Sequence, residues 1–169
     1  VGAVPAGARA APAAINAATA QDLALLATEG EEALDAGRRI EAVLRAAEPA
    51  SPQRAQLVEA LVKVLETTSD GGVRNLVMRQ LALHAGPDVL PRLVALLDDA
   101  ARRAAALHVL GAMPGDAVEA ALVDALERAA GAQQRDLAHT LGVRRSAGAV
   151  EPLAALATAG DLALAGVAV

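Results

Sequence analysis

Three segments of this chain, VLPRLVALLDD at 89–99, VEAALVDALER at 118–128 and VEPLAALATAG at 150–160, superimpose when Leu93, Leu122 and Leu153 share one position. Those leucines recur at an interval of roughly 30 residues, within the range of helical repeat arrays, and Leu81, Leu110 and Leu141 in the preceding segments keep the same two spacings. An earlier copy, QLVEALVKVLE, places Leu61 and Leu65 one further interval of that size before Leu93 and Leu97. A pair of segments is therefore repeated as one unit. Units of this kind cannot bury an apolar face alone, so they stack in arrays that close a continuous core.

The segments have helical period. Val89, Leu93, Leu96 and Leu97, and again Val118, Leu122 and Leu126, form a stripe along one face, and no segment alternates with period two. Turns are expected at Gly30, Pro49 to Pro52, Gly71-Gly72, Gly86-Pro87, Pro114-Gly115, Gly131, Gly142 and Gly160, which leaves helices of roughly 10 to 15 residues from Gln21 onward. The stretch ARRAAALHVLGA has small side chains on several faces, as a helix lying between two neighbours needs. Ser69-Asp70, Asp98-Asp99 and Asp161 precede helices and are expected to cap them. The chain has no Phe, Tyr or Trp, so packing falls to Leu, Val and Ala with a little Ile and Met.

Composition removes several function classes. The net charge of -5, from 20 acidic and 15 basic residues, suits a phosphate backbone poorly, and without aromatic rings there is no platform for stacked bases. Nucleic acid is thus not an expected partner. Without cysteine the chain has no disulfide, thiol nucleophile or thiolate metal site, and its compartment is left open. No apolar run reaches the roughly 20 residues that span a bilayer. Residues 1–14, VGAVPAGARAAPAA, have no period and are expected to be a flexible lead-in to an array over 15–169. Their small-residue run suits a plain linker, or the tether after a secretory signal. The missing initiator Met, and a last unit that stops inside DLALAGVAV, lead us to expect a longer parent chain.

The candidate chemistry is sparse. His108 and His139 each sit two residues before the anchor leucine of their helix, so stacked repeats would place them side by side, whereas His84 precedes Gly86-Pro87. No HExxH or similar ligand pair accompanies them, and no metal or cofactor is expected. Glu66, Asp98 and Glu127 fall at equivalent ends of successive second helices and form an acidic column. Arg74 and Arg103, one repeat apart, are expected to pair with Asp70 and Asp99; an anion-binding ridge with Arg102, Arg144 and Arg145 is the alternative. No catalytic triad order, nucleophile elbow, phosphate loop or dinucleotide fingerprint is present, and GAMPGD lacks the Lys and Ser/Thr of a phosphate cradle. We expect no catalytic residue.

The phrases LHVLGAMPGDAVEAALVDAL and LAHTLGVRRSAGAVEPLAALATAGDLALAG resemble bacterial HEAT-like repeats of the short type first described in phycobilin lyases. The clear match runs from about 54 to 169, and a weaker one reaches back to 21. The resemblance implies an all-α fold, a right-handed alpha-alpha superhelix of the HEAT/armadillo type with about four to five helix pairs. It also implies a non-catalytic scaffold for protein-protein interaction, or alternatively a spacer in a larger exported bacterial enzyme. The lyase and DNA glycosylase activities known on this fold call for aromatic pockets or a strongly basic groove, which this composition does not supply. The second helices are expected to line one face and to present Glu59, Lys63, Arg92, Glu119, Asp124 and Glu151 to a protein partner.

Overall fold

The computed structural model describes residues 15–158. The expected lead-in at 1–14, and the closing segment with Asp161, lie outside the described residues. Within them the chain is all-helical, with nine α-helices and no strand. In order these are α1 (Ala17–Leu26), α2 (Glu31–Ala46), α3 (Pro52–Thr67), α4 (Gly71–His84), α5 (Leu90–Ala95), α6 (Arg103–Ala112), α7 (Asp116–Arg128), α8 (Gly131–Arg144) and α9 (Val150–Thr158). Turns of 3-10 helix at Pro87–Val89 and Leu96–Asp98 extend α5 at both ends, and another at Ala147–Ala149 leads into α9.

Helix starts follow from short polar side chains that satisfy otherwise orphaned N–H groups. Asn16 Oδ1 accepts from the Thr19 N–H at 2.8 Å, so α1 begins four residues before the period becomes legible at Gln21. Ser51 Oγ accepts from the Arg54 N–H at 3.2 Å ahead of Pro52. Asp70 Oδ1 accepts from Gly72 and Val73 at 2.7 and 2.9 Å, whereas Asp99, expected to cap the next helix, accepts from Ala101 at 2.8 Å in the turn ahead of α6, whose N-cap position, Arg102, makes no side-chain capping bond. Gly30 and Gly115 enter α2 and α7 at φ of 93° and 110°, a region open to glycine. Gly142, in contrast, is no turn. Helix α8 runs through it to Arg144 and ends on Arg145 in the left-handed conformation.

Packing is sequential. Helix α2 packs on α4, α4 on α6 and α6 on α8; in the other set α1 packs on α3, α3 on the turn before α5, α5 on α7, and α7 on the turn before α9. Pairs close through α1 with α2, α3 with α4, α5 with α6 and α7 with α8. The anchor leucines Leu61, Leu93 and Leu122, and Leu81, Leu110 and Leu141, are all fully buried, and Leu153 packs on the same core. One cluster of Leu, Val, Ala, Ile40 and Met113 runs from Leu26 to Ala149 without a ring in it. Such a core needs close helices. At Gly37 an added Cβ would come within 2.7 Å of a Leu76 methyl, so the glycine lets α2 and α4 approach. Ala105 and Ala106 of α6 are buried in the same way between α4 and α8.

Candidate protein-binding surfaces

The six charged residues expected on the binding face all sit on odd-numbered helices: Glu59 and Lys63 on α3, Arg92 on α5, Glu119 and Asp124 on α7, and Glu151 on α9. Half of them are engaged within the array. Arg92 Nε donates to Glu66 Oε1 at 2.8 Å, and its guanidinium also reaches Glu59, so α5 is tied to α3. Those carboxylates, Glu66 first, raise the Arg92 pKa further above its ordinary value. Glu119 Oε1 accepts from the Gly148 N–H at 2.7 Å and anchors the turn before α9 to α7. Lys63, Asp124 and Glu151 are exposed, and their charged groups have no hydrogen-bond or ion-pair partner among the described residues. The acidic column is likewise divided: Glu66 is held by Arg92, Asp98 accepts from Gln133 Nε2 at 3.1 Å, and Glu127 is exposed.

Arginines act on helix ends in a way the spacing did not reveal. Asp99 pairs with Arg102, not with Arg103. Arg103 Nε donates instead to the Leu97 carbonyl at 2.8 Å and lies 4.0 Å from Asp136. Arg74 points at the Thr68 and Ser69 carbonyls at 3.5 and 3.4 Å, and Arg54 donates to those of Leu44 and Ala47 at 3.0 and 2.8 Å. Arg144 reaches across to α6. Each of these guanidinium groups supplies donors to carbonyls at or just beyond the end of a helix, which have no partner within it. The recurrence of Arg near a helix start was visible in sequence; its acceptors, being backbone atoms, were not.

Three depressions in the surface of the described residues bear on binding. One, of about 270 Å³ between α1 and α3, is lined by Leu23, Ala24, Ala60 and Lys63 among others, and so opens on the expected face. A second, of about 550 Å³, lies among Ser51, Arg54, His84 and Asp88. Burial, then the positive field of Arg54 and Arg45, lowers the His84 pKa, with Glu41 opposing. The third runs between α6 and α8 with a volume of about 500 Å³. Helix α6 lines it with Ala104, Leu107, His108, Gly111 and Ala112. Helix α8 lines it with Asp136, His139, Thr140, Val143 and Arg144, so the two stacked histidines do meet one groove. Among the described residues no group of three or more His, Cys, Asp or Glu is placed to hold a metal, and no helix is long and apolar enough to cross a membrane. Comparison of the chain with protein-family models, with curated proteins and with solved structures found no match.

Proposed function

We propose that the chain is a non-catalytic HEAT-like scaffold, wound as a right-handed superhelix, that holds a protein partner on the face of its odd-numbered helices. One observation carries the reading: helices two apart pack in series along both sets, while the anchor leucines of both sets recur at one shared interval. A stack of that kind offers an extended surface rather than an enclosed pocket. On the odd-numbered face the unengaged charges Lys63, Asp124 and Glu151 are the groups available to a partner, and Lys63 borders the groove between α1 and α3.

The test reverses those three charges together, as Lys63→Glu, Asp124→Lys and Glu151→Lys, in the intact protein used as capture bait. Partner capture should be lost while circular dichroism is unchanged. Capture that survives the triple reversal refutes the face. The engagement of Arg92, Glu59 and Glu119 inside the array supports a second reading, a rigid spacer in a larger enzyme. A spacer would lose its effect on insertion of a flexible linker, and would keep it through the triple reversal.

A further inference from the structure

We propose that the groove between α6 and α8 is a second docking surface, set in the even-numbered helices, and that its occupant is an acidic amphipathic helix of a partner protein. The proposal does not rest on the odd-numbered face.

The groove exists because of which residues stand there. Leu107 is buried as its floor, and Gly111 and Ala112 leave the wall of α6 open. In the preceding copy the positions of Leu107, His108 and Ala112 hold Met78, Arg79 and Leu83, so that the alanine at the mouth of the groove stands where that copy has a leucine. Val143 at the lip is 70% exposed and Leu83 is 75% exposed. Leu83, Ala112 and Val143 each follow their anchor leucine by two residues, so an apolar row crosses three adjacent helices. Packed helices lie roughly 8–10 Å apart. Two turns of a helix rise about 10.8 Å, so one laid across the row reaches from Leu83 to Ala112, at the α6 edge of the groove, with apolar side chains about two turns apart.

Charge selects the partner. From Asp70 to Arg145 the helices α4, α6 and α8 and their cap residues carry seven arginines against two carboxylates, Asp70 and Asp136, in a chain whose net charge is -5. The guanidinium groups of Arg79, Arg135 and Arg145 have no ion-pair or hydrogen-bond partner among the described residues. Arg79 occupies the register of His108 and His139, Arg135 lies one turn before His139 on the same side of α8, and Arg145 follows the groove residue Arg144. An apolar row beside unpaired guanidinium groups complements a helix with leucines on one face and carboxylates on its flanks. A nucleic acid would use the arginines and leave the apolar row without a function.

The probe is a fluorescent synthetic helix of about 18 residues, with leucines at i, i+3, i+4 and i+7 and glutamates flanking them, titrated against the intact chain. Ala112→Leu, which copies Leu83, and the triple variant Arg79→Glu, Arg135→Glu, Arg145→Glu should each weaken binding at least tenfold. Rising salt should weaken it as well, and Lys63→Glu with Asp124→Lys should leave it unchanged. Should Ala112→Leu perturb the fold, Gly111→Ala narrows the same groove with its Cβ 3.5 Å from Thr140 Cγ2, and should weaken binding severalfold. The proposal is overturned by absent binding at about millimolar peptide. Equal binding of the lysine-for-glutamate or serine-for-leucine peptide also overturns it. So does a duplex DNA oligonucleotide that binds more tightly than the peptide and is indifferent to Ala112→Leu.

Discussion

Arg144, the last residue of α8, donates through one guanidinium nitrogen to the carbonyls of Leu110, Gly111 and Met113 at 2.7, 3.0 and 2.7 Å. These are end carbonyls of α6 with no partner inside that helix, and hydrogen bonds to a charged donor are worth about 1.5–3 kcal/mol when partly shielded. Arg144→Ala should therefore lower unfolding free energy by about 2 kcal/mol in urea titration, and Arg144→Lys, a single point of charge, should recover part of it. An unchanged midpoint for Arg144→Ala would remove the cap from the account. Two other residues set pH dependence, in the same direction but in separate windows. The His84 pKa is lowered by burial, so the unfolded chain binds the proton more readily and stability falls as pH drops through the ordinary histidine range near 6.5. His84→Gln should flatten that portion of the profile. The Asp70 pKa is lowered by the N–H groups of Val73, Gly30 and Gly72, so its contribution is present above the ordinary carboxylate range and is lost as pH falls through its lower folded value. Asp70→Asn should then show a smaller decline below about pH 4 than the unaltered chain, as followed by helical circular dichroism.

At the scale of the helix, two glycines four residues apart should respond to alanine with opposite signs. Gly115 sits at φ 110° and ψ 152° with nothing within 4 Å of an added Cβ, so Gly115→Ala meets no clash and its cost is entirely conformational, about 1–3 kcal/mol. Gly111 is inside α6, and Gly111→Ala should stabilise by about 0.5–1 kcal/mol through helix propensity. Urea midpoints that move the same way for both would contradict the assignment of the turn. The contrast also shows what sequence could carry. Leucine spacing marked which residues meet in the core, because burial leaves a periodic trace, and Leu81, Leu110, Leu141, Leu61, Leu93 and Leu122 are all fully buried. A bare glycine carries no such trace. Gly115 and Gly142 look alike in sequence, yet one opens a helix and the other lies inside one, since the N–H groups of Arg145 and Ser146 bond back to Gly142 and Leu141 and carry the turn past Arg144. The charged face was legible as a set of positions and not as a set of free groups: the partners of Arg92 and Glu119 lie 26 and 29 residues away, a separation that only the stacked helices bring together.

For the whole molecule, serial packing makes a demand that a compact bundle does not. If each even-numbered helix meets mainly its nearest even-numbered neighbours, and each odd-numbered helix likewise, an internal unit is removable and the ends left behind should fit. Deleting residues 100–130 joins Asp99 to Gly131 and takes out α6 and α7, a span equal to the interval from Leu110 to Leu141. Helix α8 then faces α4 as α6 did, α9 faces α5 as α7 did, and Arg144 meets the carbonyls of Leu81, Ala82 and His84, which stand where those of Leu110, Gly111 and Met113 stood. The shortened chain should keep the helical circular dichroism per residue of its parent and unfold in one cooperative step. Its stability should be lower, because one interface between units has gone. In a bundle whose helices converge on a common centre, the same cut would remove buried Leu107, Leu110, Leu122 and Leu126 with no equivalent surface to take their place. A broad, non-cooperative transition with lost helicity would therefore reject the superhelical stack, and with it the extended surfaces from which both docking proposals start.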